Sequence, residues 1–507
     1  MAACELGGIC MSRISIQNLT FSYEGSYDNI FENVSFQIDT DWKLGFTGRN
    51  GRGKTTFLNL LLGKYEYSGK ITSSVKFGYF PFDFNGKKEN TLEEIRVLNH
   101  DFKQWELERE LSKLSVREEV LERPFQTLSK GEQTKVKLAV LFLKENDFLL
   151  IDEPTNHLDE KGRAITASYL AEKSGFILVS HDRAFLDTAT DHTLSINKTN
   201  IEVQNGNFSS WYQNKQRRDK FEAEENKRLQ KEIKRLEIAA SQAKKWADKV
   251  ENTKIGGGIQ RSETKSMGGR AYIGEKSRRM QQRRKNLERS QQKAIDQKTG
   301  LLKNLEKTEE LKIRPLRYRT ELLADLKEIS LFYDTHKVCE GITFQVKCGD
   351  RIALKGDNGS GKSSLLKLIL GEKISYQGNF YKANGLKISY IPQDASFLWG
   401  SLDAYAEQYG IDLTLFKTIL RKLDFSREQF EKDMKFYSEG QKKKVLIVRS
   451  LCEEAHLYIW DEPLNYIDIF SRIQIETLIL KYQPTLLFIE HDGAFREKIS
   501  TKNVPMP

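Results

Sequence analysis

Apolar residues in the middle of the chain recur at alternating spacings of four and three. The series comprises Leu229, Ile233, Leu236, Ala240, Ala243, Ala247 and Val250. This is the heptad spacing of an amphipathic helix with an apolar seam. A second series repeats every seven residues, at Met280, Leu287, Ala294 and Leu301. Residues 251–276, between the two series, contain six glycines, which favour irregular backbone. The pattern therefore predicts a helical hairpin with a flexible tip.

Short apolar runs outside this hairpin predict buried strands. In the first half these runs cover residues 14–23, 34–38, 44–47, 148–151 and 176–179. A helical run to Leu143 lies between the third and the fourth. Short, nearly continuous apolar runs are typical of the parallel sheet of an α/β domain.

The hairpin segment is strongly basic. Residues 211–320 contain 31 Lys and Arg and 15 Asp and Glu, a net charge of +16, whereas the whole chain carries +10. Because the excess lies in one segment, the sequence predicts that this segment contacts a polyanion. A solvated, charged linker is the alternative, as most charge runs are solvated.

Length and composition exclude other classes of protein. The 507 residues are 38% hydrophobic and 30% charged, which suffices for two or three domains with cores. No apolar run approaches 18 residues and no export signal is evident, so we expect no membrane span. The five cysteines form no C-x-x-C pair, which indicates a reducing, cytoplasmic environment. The seven histidines lack metal-ligand spacing, so no structural metal is expected.

A glycine-rich loop follows the third predicted strand. Residues 48–55 fit the pattern G-x-x-x-x-G-K-T. Its glycines let backbone N–H groups wrap phosphates, its lysine reaches the β and γ oxygens, and its hydroxyl ligates Mg²⁺. The predicted phosphate site comprises Gly48, Gly51, Gly53, Lys54 and Thr55.

Three further motifs follow this loop in order. Ser129 and Gly131 begin the helical run. Asp152 and Glu153 end a buried strand, where parallel sheets place their chemistry. Asp152 suits a contact to Mg²⁺ through water, and Glu153 suits polarising the attacking water. His181 follows the next strand and is expected to sense the γ-phosphate.

The second half repeats these motifs at offsets of 308 to 310 residues. Four motifs in constant register indicate an internal duplication. The repeated residues are Gly356, Gly359, Gly361, Lys362, Ser363, Ser438, Gly440, Asp461, Glu462 and His491.

Together these motifs resemble the ATP-binding cassette family. In that family two cassettes meet head to tail, so the resemblance implies two composite ATP sites. One joins Lys54, Thr55, Glu153 and His181 to Ser438 and Gly440; the other joins Lys362, Ser363, Gln393, Glu462 and His491 to Ser129 and Gly131. The resemblance also implies ATP contacts by Tyr23, Asn50, Thr56, Tyr333, Asn358 and Ser364, and Mg²⁺ ligation by Thr55, Ser363 and Gln393.

One position departs from the family pattern. Phe82 stands in the first half where the family usually has the glutamine that senses the metal, and Gln393 is present in the second. Because an aromatic ring cannot ligate Mg²⁺, we expect slower hydrolysis at the Lys54 site.

Two cassettes without membrane spans, joined by a basic helical hairpin, resemble the ABC-F family of ribosome-associated ATPases. Residues 152–159 and 180–182 are typical of that family, while residues 42–45, 104–111 and 457–468 look closest to its Lsa-type antibiotic-resistance branch. The predicted fold class is α/β, with two P-loop cassettes, residues 11–212 and 321–507, joined by a hairpin linker, residues 213–320.

The ABC-F resemblance also implies partners and an activity. It implies a cytoplasmic monomer that binds the bacterial 70S ribosome, contacting 23S rRNA near the peptidyl transferase centre, the exit site and P-site tRNA. In the resistance branch the linker displaces lincosamides, streptogramins A and pleuromutilins. A housekeeping ABC-F translation factor, an importer ATPase subunit and a DNA-repair or SMC-like ATPase remain as alternatives.

Overall fold

A computed structural model describes most of the chain. The described residues are 13–23, 29–84, 88–99, 102–143, 147–197, 200–255, 311–333, 336–357 and 359–506, with isolated helical positions at Gln282, Arg289 and Lys293. The chain divides into two compact units. One comprises Met1–Trp211 with Glu309–Pro507, and the other comprises Tyr212–Thr308.

The first half contains nine described strands. They are β1 Arg13–Phe21, β2 Phe31–Asp39, β3 Lys43–Thr47, β4 Ser68–Thr72, β5 Lys76–Phe80, β6 Asp147–Asp152, β7 Phe176–Val179, β8 His192–Asn197 and β9 Asn200–Asn205. An antiparallel sheet has the order β2-β1-β4, and a six-stranded sheet has the order β5-β6-β7-β3-β8-β9, parallel except for the β8–β9 pair. The five apolar runs of the sequence thus all form strands.

The helices of the first half connect these strands. They are α1 Lys54–Leu61, α2 Thr91–Leu98, α3 Gln104–Lys113, α4 Lys130–Leu141, α5 Glu160–Ala171 and α6 Arg183–Ala189, with 3₁₀ turns Glu118–Leu121 and Phe125–Thr127. A core between the sheets and α1 includes Phe31, Phe46 and Phe57, all fully buried. The phenylalanine rings of this core meet edge to face, with Phe46 and Phe57 centroids 5.5 Å apart.

The second half repeats this architecture. Its strands are β10 Leu322–Tyr333, β11 His336–Lys347, β12 Arg351–Lys355, β13 Ser375–Lys382, β14 Ile388–Ile391, β15 Leu457–Asp461, β16 Leu486–Ile489 and β17 Lys502–Pro505. Its helices are α8 Lys362–Leu370, α9 Leu402–Gln408, α10 Leu413–Lys422, α11 Glu439–Cys452, α12 Ile469–Tyr482 and α13 Gly493–Ile499, with 3₁₀ turns Arg427–Glu431 and Met434–Phe436.

Strand order relates the two halves directly. The parallel sheet β14-β15-β16-β12-β17 repeats the order β5-β6-β7-β3-β8, and β11-β10-β13 repeats β2-β1-β4. Parallel strands place their carboxyl ends at one edge of a sheet. In the first half, the loops after β3, β6 and β7 therefore lie together at that edge. In the second half, the loops after β12, β15 and β16 do the same. The predicted fold of two α/β cassettes is confirmed.

A long helix, α7 Phe208–Ile255, leaves the first cassette. The seam residues Leu229 and Ile233 are partly buried, while Ile238, outside the seam, is 49% exposed. The described part of this helix includes the first five residues of the segment predicted as the tip, 251–255, none of which is glycine. The rest of the predicted tip and the second apolar series lie outside the described residues. In the described ranges, none of the helices has the length and apolarity needed to span a bilayer.

The segment before β10 packs on the second cassette. Leu311 and Ile313 are buried in the core that contains Trp460 and Phe488, and the Leu316 N–H donates to the Ala455 carbonyl at 2.8 Å. The stretch 311–316, which the sequence prediction assigned to the linker, therefore contributes to this core.

Candidate functional site

Each phosphate loop begins its helix with a glycine in the left-handed region. Gly53 has φ 94° and Gly361 has φ 82° at the N-termini of α1 and α8. A Cβ on Gly53 would lie 2.6 Å from Ile30 Cγ2, so only glycine fits there. The backbone N–H groups at these helix starts are oriented to bind an anion.

The two loop lysines are buried against the carbonyls of their own loops. Lys54 Nζ donates to the Gly48 carbonyl at 2.8 Å, and Lys362 Nζ donates to the Gly356 carbonyl at 2.9 Å and to that of Asp357 at 2.7 Å. Burial lowers the pKa of both lysines, although nearby carboxylates oppose the shift. The ammonium groups therefore lie inside the loops, where phosphates would bind.

The other loop positions follow the same plan. Gly51 and Gly359 have φ of 80° and 85°. A Cβ at Gly48 would lie 3.4 Å from Ile196 Cβ, and a Cβ at Gly356 would lie 2.8 Å from Met506 Cβ. Asn358 lies outside the described residues. Ser364, on α8, is partly buried.

The two tyrosines predicted to contact ATP, Tyr23 and Tyr333, differ in their contacts. The Tyr23 hydroxyl forms a 2.8 Å hydrogen bond with Thr56 Oγ1, so these two predicted site residues meet. The Tyr23 ring is 42% exposed and lies edge-on to Phe21 and Tyr65. Tyr333 is 46% exposed and pairs with His336 where β10 meets β11.

The hydroxyl after each lysine meets the first strand-end carboxylate. Thr55 Oγ1 donates to Asp152 Oδ2 at 2.9 Å, and the Tyr79 hydroxyl lies 3.4 Å from the same oxygen. Burial raises the pKa of Asp152, and it raises the pKa of Asp461 to about 6 although a hydrogen bond from Ser363 opposes the shift. This geometry leaves a hydroxyl and a carboxylate side by side, as a water-rich Mg²⁺ site requires.

Glu153 is a buried carboxyl with few partners. Its backbone is left-handed, with φ 51°, and within the described residues its side chain makes no side-chain hydrogen bond. His181 Nε2 lies 3.1 Å from Oε1 without the alignment of a hydrogen bond. Burial and the neighbouring Asp152 raise the pKa of Glu153 to about 8. Burial and the Lys54 charge lower the pKa of His181 well below its usual value.

Glu462 has the same backbone but a different environment. Its φ is 48°, and its side chain accepts hydrogen bonds from Gln393 at 2.9 Å, Asn465 at 2.7 Å and His491 at 3.1 Å. Burial alone would raise its pKa, but the hydrogen bonds from His491 and Gln393 outweigh burial and hold the pKa of Glu462 below its usual value. This carboxylate is charged and oriented.

Phe82 has no polar group to replace the side-chain amide of Gln393. Its ring packs 5.4 Å from that of Phe84, which in turn lies 4.3 Å from that of Phe125. The residue at the position of Gln393 is therefore part of an aromatic cluster in the first cassette.

Residues 128–133 and their repeat, residues 437–441, are the signature motifs of the two cassettes, and the serine of each motif caps a helix. Ser129 and Ser438 accept from the backbone N–H of Glu132 and of Gln441, in reciprocal capping boxes. At Gly440 a Cβ would lie 2.6 Å from the Tyr466 carbonyl, and at Gly131 it would lie 3.4 Å from the His157 carbonyl. Each signature turn thus packs against the loop that follows the strand-end carboxylates of its own cassette.

One cavity joins the two cassettes. It measures about 410 Å³ and is lined by Asn50, Gly51, Glu153 and His181 of the first cassette and by Ser438, Gly440 and Lys444 of the second, among others. The Asn50 amide donates to the Tyr466 carbonyl across the interface at 3.0 Å, and Arg49 forms an ion pair with Asp424. The structure therefore brings the first phosphate loop and the second signature together.

Other contacts cross the interface near the second phosphate loop. Lys161, beside the turn that follows Glu153, donates to Asp357 at 3.0 Å. Arg496 donates to Glu160 at 2.8 Å. Arg183, two residues after His181, forms an ion pair with Glu476.

Several polar contacts of the site were not predicted from the sequence. Asn465 donates a hydrogen bond to Glu462. The sequence could have identified this residue, because it repeats Asn156 at the offset of the other motifs. The Tyr79 hydroxyl approaches Asp152. Tyr79 precedes Phe82 by three residues, as its counterpart Tyr390 precedes Gln393. Lys443 lies beneath the second site, and no local pattern distinguishes it from a surface lysine.

The ABC transporter family model matches the chain twice, at residues 31–156 and 339–465. The two matches contain both phosphate loops, both signatures and both pairs of strand-end carboxylates. This chain belongs to the ATP-binding cassette family. Its enzyme class is that of an ABC ATPase, as the motifs predicted.

Relatives match across almost the whole length of this ABC protein. The ribosome protection protein VmlR of Bacillus subtilis (strain 168) is 26% identical over 95% of this chain and 85% of its own length. ABC transporter F family member 5 of Arabidopsis thaliana is 23% identical over 96% of this chain and 74% of its own length. The recognition of an ABC-F protein is confirmed.

A solved structure shares the fold. A chain in the crystal structure of the complex of archaeal ribosomal stalk protein aP1 and archaeal ribosome recycling factor aABCE1 matches with a TM-score of 0.62. It is 18% identical and the match covers 96% of this chain and 87% of that chain.

The residues of both cassettes fit ATP. The left-handed glycines and the helix starts provide phosphate contacts, and Glu153 and Asp461 hold buried oxygens with no hydrogen-bond partner in the described part of the chain. Thr55, Ser363 and Gln393 would hold Mg²⁺, which would neutralise charge on the phosphates. Phe82 cannot contribute to such a site.

Proposed function

We propose that this ABC-F ATPase binds the bacterial 70S ribosome and protects it from antibiotics that act at the peptidyl transferase centre. Its linker would reach into the ribosome from the tRNA exit site and contact 23S rRNA and P-site tRNA. It would thereby displace lincosamides, streptogramins A and pleuromutilins. ATP hydrolysis would then release the protein. The protein would act in the cytoplasm, as a monomer whose two cassettes pair within one chain.

The observation that carries the ATP-driven part is the cavity shared by the two cassettes. Residues of the first phosphate loop and of the second signature line one space, so a nucleotide bound there contacts both halves. ATP would hold the cassettes closed, and hydrolysis would remove the γ-phosphate contacts of Ser438 and Gly440. Glu153 and Glu462 would polarise the attacking waters, and His181 and His491 would contact the γ-phosphates.

The linker supports the ribosomal part of the proposal. Residues 211–320 carry a net charge of +16, and α7 alone extends over 48 residues. Dense positive charge on a helix suits the phosphate backbone of RNA. A relative that matches 95% of the chain bears the name ribosome protection protein.

Two other functions would use the same cassettes. A housekeeping ABC-F translation factor would bind ribosomes without protecting them from drugs, and an importer subunit would bind a membrane partner. The basic linker favours a ribosomal partner over a transporter, since transporter subunits need no polyanion contact.

Co-sedimentation with 70S ribosomes tests ribosome binding. Replacing Glu153 and Glu462 together by Gln should keep ATP binding, remove most turnover and trap the closed form on ribosomes, because the phosphate contacts remain while the waters lose their polarisers. Near-normal ATP hydrolysis by this double variant would contradict the roles of the two glutamates. Absence of the trapped protein from the ribosome pellet would contradict ribosome binding.

Charge reversal in the linker tests the RNA contact. Arg278, Arg279, Arg283, Arg284 and Lys285 are five clustered basic residues. Replacing several of them by Glu should weaken ribosome binding and flatten its salt dependence, because fewer phosphates are neutralised. ATP hydrolysis without ribosomes should stay unchanged, which serves as the control. Unaltered binding across a salt series would show that these charges are merely solvated.

A further inference from the structure

Three consecutive lysines on α11 are buried. Lys442, Lys443 and Lys444 are 8%, 2% and 4% exposed, although lysine is almost never buried without a partner. Lys442 pairs with Glu439 at 3.4 Å, and Lys444 pairs with Asp468 at 3.3 Å. Lys443 instead donates to backbone carbonyls, and it lies next to the second nucleotide site.

Lys443 connects two parts of that site. Its Nζ donates to the Pro392 carbonyl and to the Glu462 carbonyl, each at 3.1 Å. Pro392 directly precedes Gln393. One buried ammonium group therefore holds the backbone at the proposed metal ligand Gln393 and at the proposed water-polarising residue Glu462.

The rest of α11 is tied to the same two strands by polar contacts. Ser450 Oγ lies 2.8 Å from Ser389 Oγ on β14 and accepts from Trp460 Nε1 on β15 at 3.0 Å. Arg449 donates to the Tyr390 carbonyl on β14. Since hydrogen bonds are directional, they fix α11 against the strand ends more strictly than apolar packing does.

Within the described residues, the first cassette lacks these ties. Thr134, Val140 and Leu141 stand where the second cassette has Lys443, Arg449 and Ser450. Thr134 Oγ1 donates within its own helix, to the Lys130 carbonyl at 3.0 Å. Gly78, the counterpart of Ser389, has no side chain to bond, and the two atoms nearest to a Cβ added there would be apolar, Leu149 Cδ2 at 2.7 Å and Leu141 Cδ2 at 3.6 Å.

A second charged residue of this cassette, Glu490, also has an uncharged counterpart in the first cassette. The buried Glu490 occupies the position of Ser180, and burial raises its pKa although Arg472 opposes the shift. The Glu490 charge acts on Lys443. A buried lysine and glutamate in the second cassette thus correspond to two neutral hydroxyl residues, Thr134 and Ser180, in the first.

We propose that Lys443 is a positioning residue that couples the two ATP sites. The helix α11 starts at Ser438 and Gly440, which line the cavity at the first phosphate loop, and Lys443 lies on its next turn beneath Gln393 and Glu462. Closure of the signature on nucleotide at the Lys54 site therefore sets the geometry of hydrolysis at the Lys362 site. Thr134 makes no equivalent connection in the described part of the first cassette, where α4 instead contacts the segment after β5 through the ion pair of Lys137 with Asp83 at 3.8 Å. The connection through Lys443 is therefore particular to the second cassette. The inference rests on the roles proposed above for Gln393 and Glu462.

A variant that copies the first cassette tests this coupling. In a Glu153→Gln background, which restricts turnover to the Lys362 site, Lys443→Thr is combined with Glu490→Ser so that no buried charge is left unpaired. We expect kcat to fall about 10- to 100-fold, the usual loss when a group that orients a site is removed. KM for ATP should change little, because Lys362 and its loop are intact, and the Hill coefficient for ATP should fall toward 1.

Lys442→Met in the same background is the matched control, since Lys442 is buried on the same helix but pairs with Glu439. It should retain the kcat of its parent. If the exchanged pair fails to fold, Lys443→Gln, which keeps a single donor group, should give an intermediate loss of kcat.

Three outcomes would overturn the proposal. They are a kcat within twofold of the parent, an equal loss in Lys442→Met, and a lower kcat with unchanged cooperativity. A failure of the underlying site assignment is distinguishable, because it would appear as persistent turnover when Glu153 and Glu462 are both Gln.

Discussion

The two glutamates that end β6 and β15 share a left-handed backbone but differ in their surroundings. Glu462 accepts hydrogen bonds from Gln393, Asn465 and His491, whereas Glu153 is buried beside Asp152 with a pKa raised to about 8. A carboxylate that polarises water must be charged and oriented. Glu462 meets both conditions in the structure, and Glu153 meets them less well.

This difference predicts unequal effects of single substitutions. Glu462→Gln should reduce ATP turnover by more than about tenfold, because it removes the oriented carboxylate, and Glu153→Gln should reduce it less. Steady-state phosphate release measures both. Equal losses would indicate that the two sites act as one unit and that Phe82 does no harm.

The pKa of Glu153 also predicts how stability depends on pH. Its folded pKa, about 8, lies above the ordinary value of 4.5, so its contribution to stability is fully present below about pH 4.5 and is lost as pH rises through about 8. Glu153→Gln cannot ionise. In the absence of nucleotide, its melting temperature relative to the wild type should therefore rise between about pH 5 and about pH 9.

Glu462→Gln is the control for that measurement. The pKa of Glu462 is lowered, so its contribution is present above the ordinary value of 4.5 and is lost only as pH falls below it. The variant should be less stable than the wild type by a constant amount over the same range. A parallel pH profile for both variants would contradict the difference between the two carboxyl groups.

Residue types and spacing predicted the local structures of the candidate site, because phosphate loops need glycine, lysine and a hydroxyl at set positions. The roles of these residues in binding and hydrolysis stay predictions. The loops, the strand-end carboxylates and the signature turns all lie where these patterns indicated. The partners of Glu462 and the burial of Lys443 depend on how α11 packs on β14 and β15. No local pattern encodes that packing, and a run of three lysines ordinarily predicts a solvated helix face.

At the scale of elements, the helices after the strand-end loops carry several of the ion pairs between cassettes. Arg183 at the start of α6 pairs with Glu476 on α12 and lies 3.9 Å from Asp492, both carboxylates being fully buried. Lys161 on α5 pairs with Asp357, and both side chains are largely exposed. Burial, rather than number, decides what such pairs contribute.

These two ion pairs form a matched test. Arg183→Ala should lower the free energy of unfolding by about 2–3 kcal/mol, because a buried carboxylate loses its partner, although Lys498 still contacts Glu476. Lys161→Ala should lower the free energy of unfolding much less than Arg183→Ala does, because water screens the exposed pair. Urea denaturation of the nucleotide-free protein measures both. Similar costs would show that the Arg183 pair does not hold the cassettes together.

The helix α7 shows where element boundaries escape sequence patterns. The heptad seam predicts the helix, and the described residues confirm it. The glycine content of residues 251–276 predicts irregular backbone from residue 251 onward, whereas the described helix includes residues 251–255. The six glycines lie at Gly256 and beyond, so the composition of the whole segment does not represent its first five residues.

At the scale of the whole molecule, the duplicated cassettes differ in chemistry while sharing topology. In the second cassette Gln393 donates a hydrogen bond to Glu462, the proposed water-polarising residue, and Lys443 connects α11 to the Pro392 and Glu462 carbonyls. The first cassette has Phe82 and Thr134 at those positions. A nucleotide that remains at the Lys54 site would keep the cassettes closed while the Lys362 site turns over. With such a division, one site would set the duration of ribosome binding and the other would control release from the ribosome.

Drug protection should depend on the segment between the two apolar series. Residues 256–276 contain six glycines, one aromatic residue, Tyr272, and the apolar residues Ile259, Met267 and Ile273. Glycines allow close approach to RNA, and apolar side chains can stack on bases. Replacing residues 256–276 by a short Gly-Ser turn should preserve ATP-dependent ribosome binding but abolish rescue of drug-inhibited translation in vitro.

Single substitutions at Tyr272 refine this expectation. Tyr272→Ala should cause a partial loss of rescue, because base stacking on an aromatic ring contributes about 1–3 kcal/mol. Tyr272→Phe keeps the ring and should retain rescue. Full rescue by the protein without residues 256–276 would show that reach to the drug site is not the mechanism. A housekeeping role in translation would then explain the basic linker better, because that role requires ribosome binding but no contact near the drug.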